Sequence, residues 1–285
     1  MQDRLKITLL LAPALSVISL LFVGGLSVGL LRSFNYMPVI GLTEPNLDAY
    51  RSVLTSPEVY RSFALSLYIA VTSTLIATLL AVATALLLRR SFPGRAVASF
   101  LVQLNLTIPH LVGAIGILYL FSQSGSFARL ANAFALISKP ADFPALIFDP
   151  YAIGVIATYV WKEVPFITVI ILATLQALGD DFETVARTLG ATRWQAFRHV
   201  LLPQIMPAVL AASAVVFAFT FGAYEIPALL GASQPQTLPV MAYRGFTDVD
   251  LAARPQAMAL AVLIAGVSAI MIALYTRALR GNGRG

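Results

Sequence analysis

An all-α, polytopic membrane protein with six transmembrane helices is the fold class this sequence predicts. Three observations carry it. Of the 285 residues, 59% are hydrophobic and only 11% charged, where a soluble domain carries about 25% charged residues. Six apolar runs are each long enough to cross a hydrocarbon core of about 30 Å. Basic side chains gather at the termini and in alternate connections, which is a topology signal.

Ile7–Leu31 is a run of 25 residues without a charge. The apolar region of a signal peptide is about 7–15 residues, so this run is read as a retained first span. Its Gly25 and Gly29 suit a close helix–helix contact. Arg32–Arg61, broken by Pro38, Pro45 and Pro57, is an exposed loop with a short helix near Leu47–Leu54. Ser62–Leu88 is the second span, and Arg89–Arg95 a basic turn punctuated by Pro93-Gly94. Ala96–Ser122 is the third span, bent by Pro109, and Gln123–Pro150 a loop with an interfacial helix around Phe127–Ile137. Tyr151–Leu178, containing Pro165, is the fourth span. Beyond a charged island at 180–203 lies the fifth, Gln204–Leu230, containing Pro207 and Pro227. Gly231–Arg254 is a loop and Pro255–Leu279 the sixth span. The expected division is a first helix with its external loop, 1–61, and a membrane core, 62–280.

Six spans leave both termini on one side. On that side, together with the Arg89–Arg95 turn and the island, stand eleven basic and four acidic side chains; the opposite loops hold seven of each. The excess of positive charge places both termini and the island in the cytoplasm, and the spans in contact with lipid; the resemblance given below implies the cytoplasmic (inner) membrane. The net charge of +6 is scattered beside apolar runs, so no nucleic-acid partner is expected. The absence of cysteine excludes disulfides, zinc–thiolate sites and iron–sulfur clusters. Two histidines, His110 and His199, at different depths argue against a membrane enzyme, and His110, beside Pro109, suits a packed or interfacial residue better than a ligand.

The island, Asp180–Pro203, reads as two short amphipathic helices around a tight turn. Asp180 with Glu183 suits a capping box, Gly190 a left-handed closing residue, and Thr192 with Gln195 a second box. Phe182, Val185, Ala186 and Leu189 recur at helical spacing, and Trp194, Phe197 and Leu201 form a second apolar stripe. Pro203 opens the next helix, where its missing N–H is harmless. Amphipathic helices of this kind float in headgroups or dock into a groove of a partner.

Gly190, nine residues, then Val200-x-Leu202-Pro203 resembles the second half of the EAA loop of permease subunits from binding-protein-dependent ATP-binding-cassette (ABC) importers. Thr184-Val185-Ala186-Arg187-Thr188-Leu189-Gly190 sits on the first half, with Thr184 at the acidic position, Glu183 adjacent, and Val185 for the first alanine. The resemblance covers about Ser62 to Leu279 and implies the type I importer permease fold, with alternating access driven by a separate ATPase. It implies as partners two ATP-binding-cassette subunits, a second permease that is a homologue or a copy, and an extracytoplasmic solute-binding protein. Coupling to the ATPase would rest on Glu183, Thr184, Val185, Ala186, Arg187, Leu189, Gly190, Ala191 and Trp194. This chain carries no phosphate-binding loop, so no cofactor is expected on it; ATP and Mg belong to the ATPase, and the chain itself is expected not to be an enzyme.

Ionisable residues inside spans are costly. Lys162, Glu163 and Glu225 stand out, with Asn105, Thr107, Thr220 and Tyr224 as weaker candidates of the same kind. They either line the translocation pathway or serve structure, with Lys162 paired to Glu225. The segments Phe221–Gly231 and Pro235–Arg244 resemble most the spermidine/putrescine-type branch, which implies a polyamine or similar small solute. An ion-coupled secondary transporter or channel, with Lys162, Glu163 and Glu225 as a relay, is the competing class.

Overall fold

The computed structural model describes residues 2–179 and 181–282. Among them, six helical stretches are long and apolar enough to cross a membrane: Lys6–Ser33, Pro57–Arg89, His110–Ala133, Ile153–Leu178, Arg193–Gly222 and Leu251–Tyr275. The helices in chain order are α1 (Gln2–Ser33), α2 (Asp48–Thr55), α3 (Pro57–Arg89), α4 (Arg95–Thr107), α5 (His110–Phe121), α6 (Ser126–Ala133) and α7 (Ile153–Leu178). There follow α8 (Asp181–Thr188), α9 (Arg193–Ala196), α10 (Leu202–Gly222), α11 (Glu225–Leu230), α12 (Leu238–Thr247) and α13 (Arg254–Asn282).

The chain forms two compact units, Met1–Tyr60 with Met241–Ala265, and Arg61–Val240 with Gly266–Gly285. In the first unit the Ser33 and Tyr50 hydroxyls share a 2.7 Å hydrogen bond and Phe34 packs on Tyr50. The expected glycine contact is half realised. A Cβ on Gly29 would meet Met258 at 3.6 Å, whereas Gly25 faces open space.

The second unit has its core along α7. Ala77, Ala81 and Ala85 of α3 make a stripe of small residues that admits Ile167, Ile171 and Leu175 of α7 with Ile205, Val209, Ala212 and Val216 of α10. Without a hydrophobic force between helices in lipid, close backbone approach of this kind supplies the dispersion that holds them. Thr78 and Ser213 add a 2.7 Å hydroxyl pair between α3 and α10. A second cluster joins Ile69 of α3, Ala114 of α5, Val155, Ile156 and Tyr159 of α7, and Ile226 and Leu230 of α11. The start of α7 is fixed by buried Asp149, whose carboxylate accepts from Tyr151 N and Ile153 N at 2.9 Å.

Three expectations need correction, and proline explains two of them. Ala96–Ser122 is not one bent helix: Ile108 is extended (φ −80, ψ 123) and α4 and α5 are separate, because proline pushes its predecessor out of the helical region. The fifth span begins earlier, at Arg193, and ends at Gly222 rather than Leu230. Ala223 is extended there (ψ 135), since the ring of Pro227 would strike the carbonyl four residues back in a continuous helix. The loop read over Gly231–Arg254 holds α12, whose Leu238 N donates to Ser66 Oγ of α3 at 2.8 Å. In the first long loop α2 forms as expected; in the second, α6 stops at Ala133, short of Ile137.

Candidate functional site

The polar island folds as a two-helix knob. Helix α8 ends in the full Schellman pattern: Ala191 N donates to Ala186 O at 3.1 Å and Gly190 N to Arg187 O at 3.0 Å, with Gly190 at φ +91. A left-handed residue at that position favours glycine because a Cβ would crowd the following carbonyl. Thr192 caps α9 reciprocally: its N donates to Gln195 Oε1 at 2.8 Å and its Oγ1 accepts from Gln195 N at 3.3 Å. The Asp180 half of the other expected box lies outside the described residues. Glu183 holds Arg89, Oε2 to Nη1 at 2.8 Å, while Arg89 Nη2 donates to Gly179 O at 3.2 Å. The end of α3 is thereby tied to the knob.

A single π-turn, Phe197–Leu201, joins α9 to α10. It delivers Leu201 into the helix core while Trp194, 63% exposed, stays outside with its ring 5.5 Å from Phe197. Ala196 is buried too and Phe197 half-buried, so the knob is anchored inward through Ala196, Phe197 and Leu201. The stripe of α8 does the opposite. Phe182, Val185 and Leu189 are exposed, Leu189 by 84%, and Ala186 is half-buried. Thr184 and Arg187 are exposed beside them. An apolar stripe left uncovered on a stiffly capped helix suits a partner's groove.

A single break of the Arg89–Glu183 pair tests how the knob is held. Arg89→Gln is expected to speed amide hydrogen exchange in 181–188 about tenfold, since a part-buried charge-assisted pair contributes about 1–2 kcal/mol. Unchanged exchange there would show that the cap at Gly190 alone holds α8.

Inside the membrane core the structure brings Asn105, Lys162 and Glu163 together, with His110. It does not pair Lys162 with Glu225. Lys162, 4% exposed, gives its ammonium to Asn105 O and Ile108 O at 2.7 Å each and to Asn105 Oδ1 at 3.3 Å. Asn105 Nδ2 in turn donates to Trp161 O at 2.6 Å. The proline positions explain the exchange. Pro109 and Pro165 each strip the usual helical partner from the carbonyl four residues earlier, which are those of Asn105 and Trp161. Each interrupted hydrogen-bond ladder is completed by a side chain from the other helix, and Gly113 permits it by letting α5 close on the Trp161 ring. The sequence signal was there, a polar residue beside or at the position four before each proline, but the pairing needed the fold.

Glu163, also buried, lies with Oε1 3.4 Å from His110 Nε2, and the His110 ring packs at 4.9 Å on Phe219. Glu225 is exposed at the first turn of α11, where a carboxylate complements the helix dipole. Tyr224 is half-buried just before it, and Thr220 is buried, its hydroxyl without a partner among the described residues. Thr107 is exposed and bonds Leu104 O of its own helix.

Residues 73–281 match the family model described as binding-protein-dependent transport system inner membrane component. The chain belongs to that family. It is an ABC importer permease, spanning the inner membrane several times. Among curated relatives, the permease is 29% identical over 246 residues to the molybdenum transport system permease protein ModB of Mycobacterium tuberculosis, covering 84% of this chain and 87% of ModB. It is 26% identical over 235 residues to the sulfate transport system permease protein CysT of Escherichia coli, covering 82% and 81%. Its fold matches, at a TM-score of 0.80 and 19% identity over 98% of each chain, a bacterial ABC transporter involved in the import of the acidic polysaccharide alginate. The permease thus shares the fold of ABC importer permeases along its whole length.

Proposed function

We propose that this permease moves a small oxyanion, delivered by an extracytoplasmic binding protein, through a gate driven by a separate ATPase. The observation that carries the driven gate is the knob between the fourth and fifth spans. It is capped at both helices, bent at Gly190, anchored by Leu201, and it leaves Phe182, Val185 and Leu189 uncovered. Docked in a groove of an ATP-binding-cassette subunit, that stripe is buried and Thr184, Arg187, Ala191 and Trp194 form its rim. Two permeases, homologous or identical, offer one knob to each of two ATPases, and closure of those around ATP and Mg rocks the helices between inward-open and outward-open states. The excess of positive charge puts the knob and both termini in the cytoplasm. A structure of the alginate transporter with a substrate-bound periplasmic protein supports a binding-protein partner of the same kind.

Relatives named for molybdenum and sulfate transport support an oxyanion over the polyamine suggested by the spermidine-type resemblance. The feature that suggested a cation, Glu225, is one exposed carboxylate and no cage. An ion relay is not favoured either, because carbonyl and amide oxygens already surround the Lys162 ammonium.

In proteoliposomes holding the permease with its ATPase and binding protein, molybdate or sulfate uptake is expected to require ATP and to ignore a protonophore. Uptake without the ATPase, or collapse with the protonophore, would falsify the driven gate. Stimulation of ATP hydrolysis by putrescine but not by either oxyanion would reject the solute alone.

A further inference from the structure

We propose that the knob and the α3–α4 turn together form an anion site for a tetrahedral oxyanion of the phosphate or sulfate class. The oxyanion is either free in solution or the phosphodiester of a lipid headgroup. A cavity of about 970 Å³ lies between the two elements. Arg89, Arg90 and Arg95 line it from the turn, Arg187 and Arg193 from the knob. Glu183 is the one acidic residue in its wall among the described residues, and Arg89 already holds that carboxylate. The side chains of Arg90, Arg95, Arg187 and Arg193 form no hydrogen bond or ion pair with any described residue.

Guanidinium groups keep their charge at every cellular pH, and their donor forks match the paired oxygens of phosphate and sulfate. Four such cations around one cavity repel one another. An oxyanion among them turns that repulsion into charge-assisted hydrogen bonds. Leu86, Phe197 and Leu201 complete the wall. Because the arginines come from two separate elements, a bound anion cross-links the knob to the end of α3, as the Arg89–Glu183 pair does at one edge. Its occupancy therefore sets how freely the knob moves. The site stands on this chain's residues alone, whatever solute is carried and whatever drives the gate.

Trp194 lines the cavity and reports on it. The chain has two tryptophans, so Trp161→Phe leaves Trp194 as its sole indole. The full chain carrying that change is placed in phosphatidylcholine nanodiscs and titrated with inorganic phosphate against chloride at equal ionic strength. A parallel preparation contains phosphatidylglycerol and no phosphate. A saturable change in Trp194 emission with phosphate assigns the free oxyanion; a change already present in the phosphatidylglycerol discs assigns the headgroup. Arg90→Gln with Arg95→Gln is expected to weaken either response about tenfold or more. Lysine at both positions restores part of it, which separates lost charge from lost folding. A response equal in chloride, absent in both preparations, or untouched by the glutamine changes overturns the proposal.

Discussion

Lys162→Met is expected to destabilise the permease by about 2–4 kcal/mol, because it strands two oxygens, Ile108 O and Asn105 Oδ1, and halves the bonding of a third. Two opposing effects decide the sign. Removing a buried ammonium recovers its desolvation cost, and replacing a buried ion pair by apolar groups is often neutral. Here, however, the partners are two backbone carbonyls and one amide oxygen, and the substitution cannot remove the carbonyls. Asn105 O keeps the Ile108 amide at 3.3 Å, but Ile108 O is left inside the membrane core. The stranded acceptors win. Asn105→Leu has a related effect at Trp161 O, and the two changes share atoms. Their combined cost is therefore expected to fall short of the sum by about 1 kcal/mol. Thermal unfolding in detergent, followed by loss of monodispersity, reads the effect. A Lys162→Met protein as stable as the wild type would mean that water or a shifted α4 satisfies those carbonyls, and the repair of one broken helix by the other would have no energetic meaning.

Gly190→Asp is expected to cut solute uptake by at least about tenfold while the complex still assembles and hydrolyses ATP; the turn itself is strained by about 1–2 kcal/mol. A Cβ there meets nothing within 4 Å, so the change acts on the backbone and on the docking rim and leaves the helix core alone. The residue stands at φ +91 and closes the Schellman pattern. A residue with a side chain relaxes toward negative φ, which swings α9 relative to α8 and misaligns the stripe of Phe182, Val185 and Leu189. Asparagine tolerates the left-handed region best among residues with a Cβ, so Gly190→Asn is expected to keep most of the uptake. Uptake and ATPase activity measured on the same proteoliposomes distinguish the outcomes. Wild-type uptake by the aspartate variant would sink the coupling role of the knob, and equal loss of uptake and hydrolysis would point to failed assembly.

The knob was legible because its determinants are local. A glycine that must be left-handed, a Thr–Gln box and an apolar stripe are all set within one or two helical turns. The spans were legible for the same reason: length and apolarity are properties of a continuous segment. Their ends were less so. Pro109 and Pro227 announced disruption, but whether a proline bends a helix or divides it depends on what takes up the freed carbonyls. Pro165 sits inside an unbroken α7 with Trp161 O bonded by Asn105, whereas Pro109 separates α4 from α5 with the Lys162 ammonium in the gap. Helix α12 was missed because a ten-residue helix with two flanking polar loops carries too little apolar periodicity to stand out.

The sequence by itself determined the all-helical membrane class, the six spans and the two-helix segment between the fourth and fifth, since each follows from chemistry within a single stretch. Only the tertiary structure decided who partners whom. It gave Lys162 to the carbonyls of Asn105 and Ile108 rather than to Glu225, Glu183 to Arg89 of α3, and the Leu201 end of one apolar stripe to the core while the stripe of α8 stayed bare. A buried charge takes whichever partner the packing brings within hydrogen-bond reach, and that distance is a property of the assembled helices, absent from any one of them.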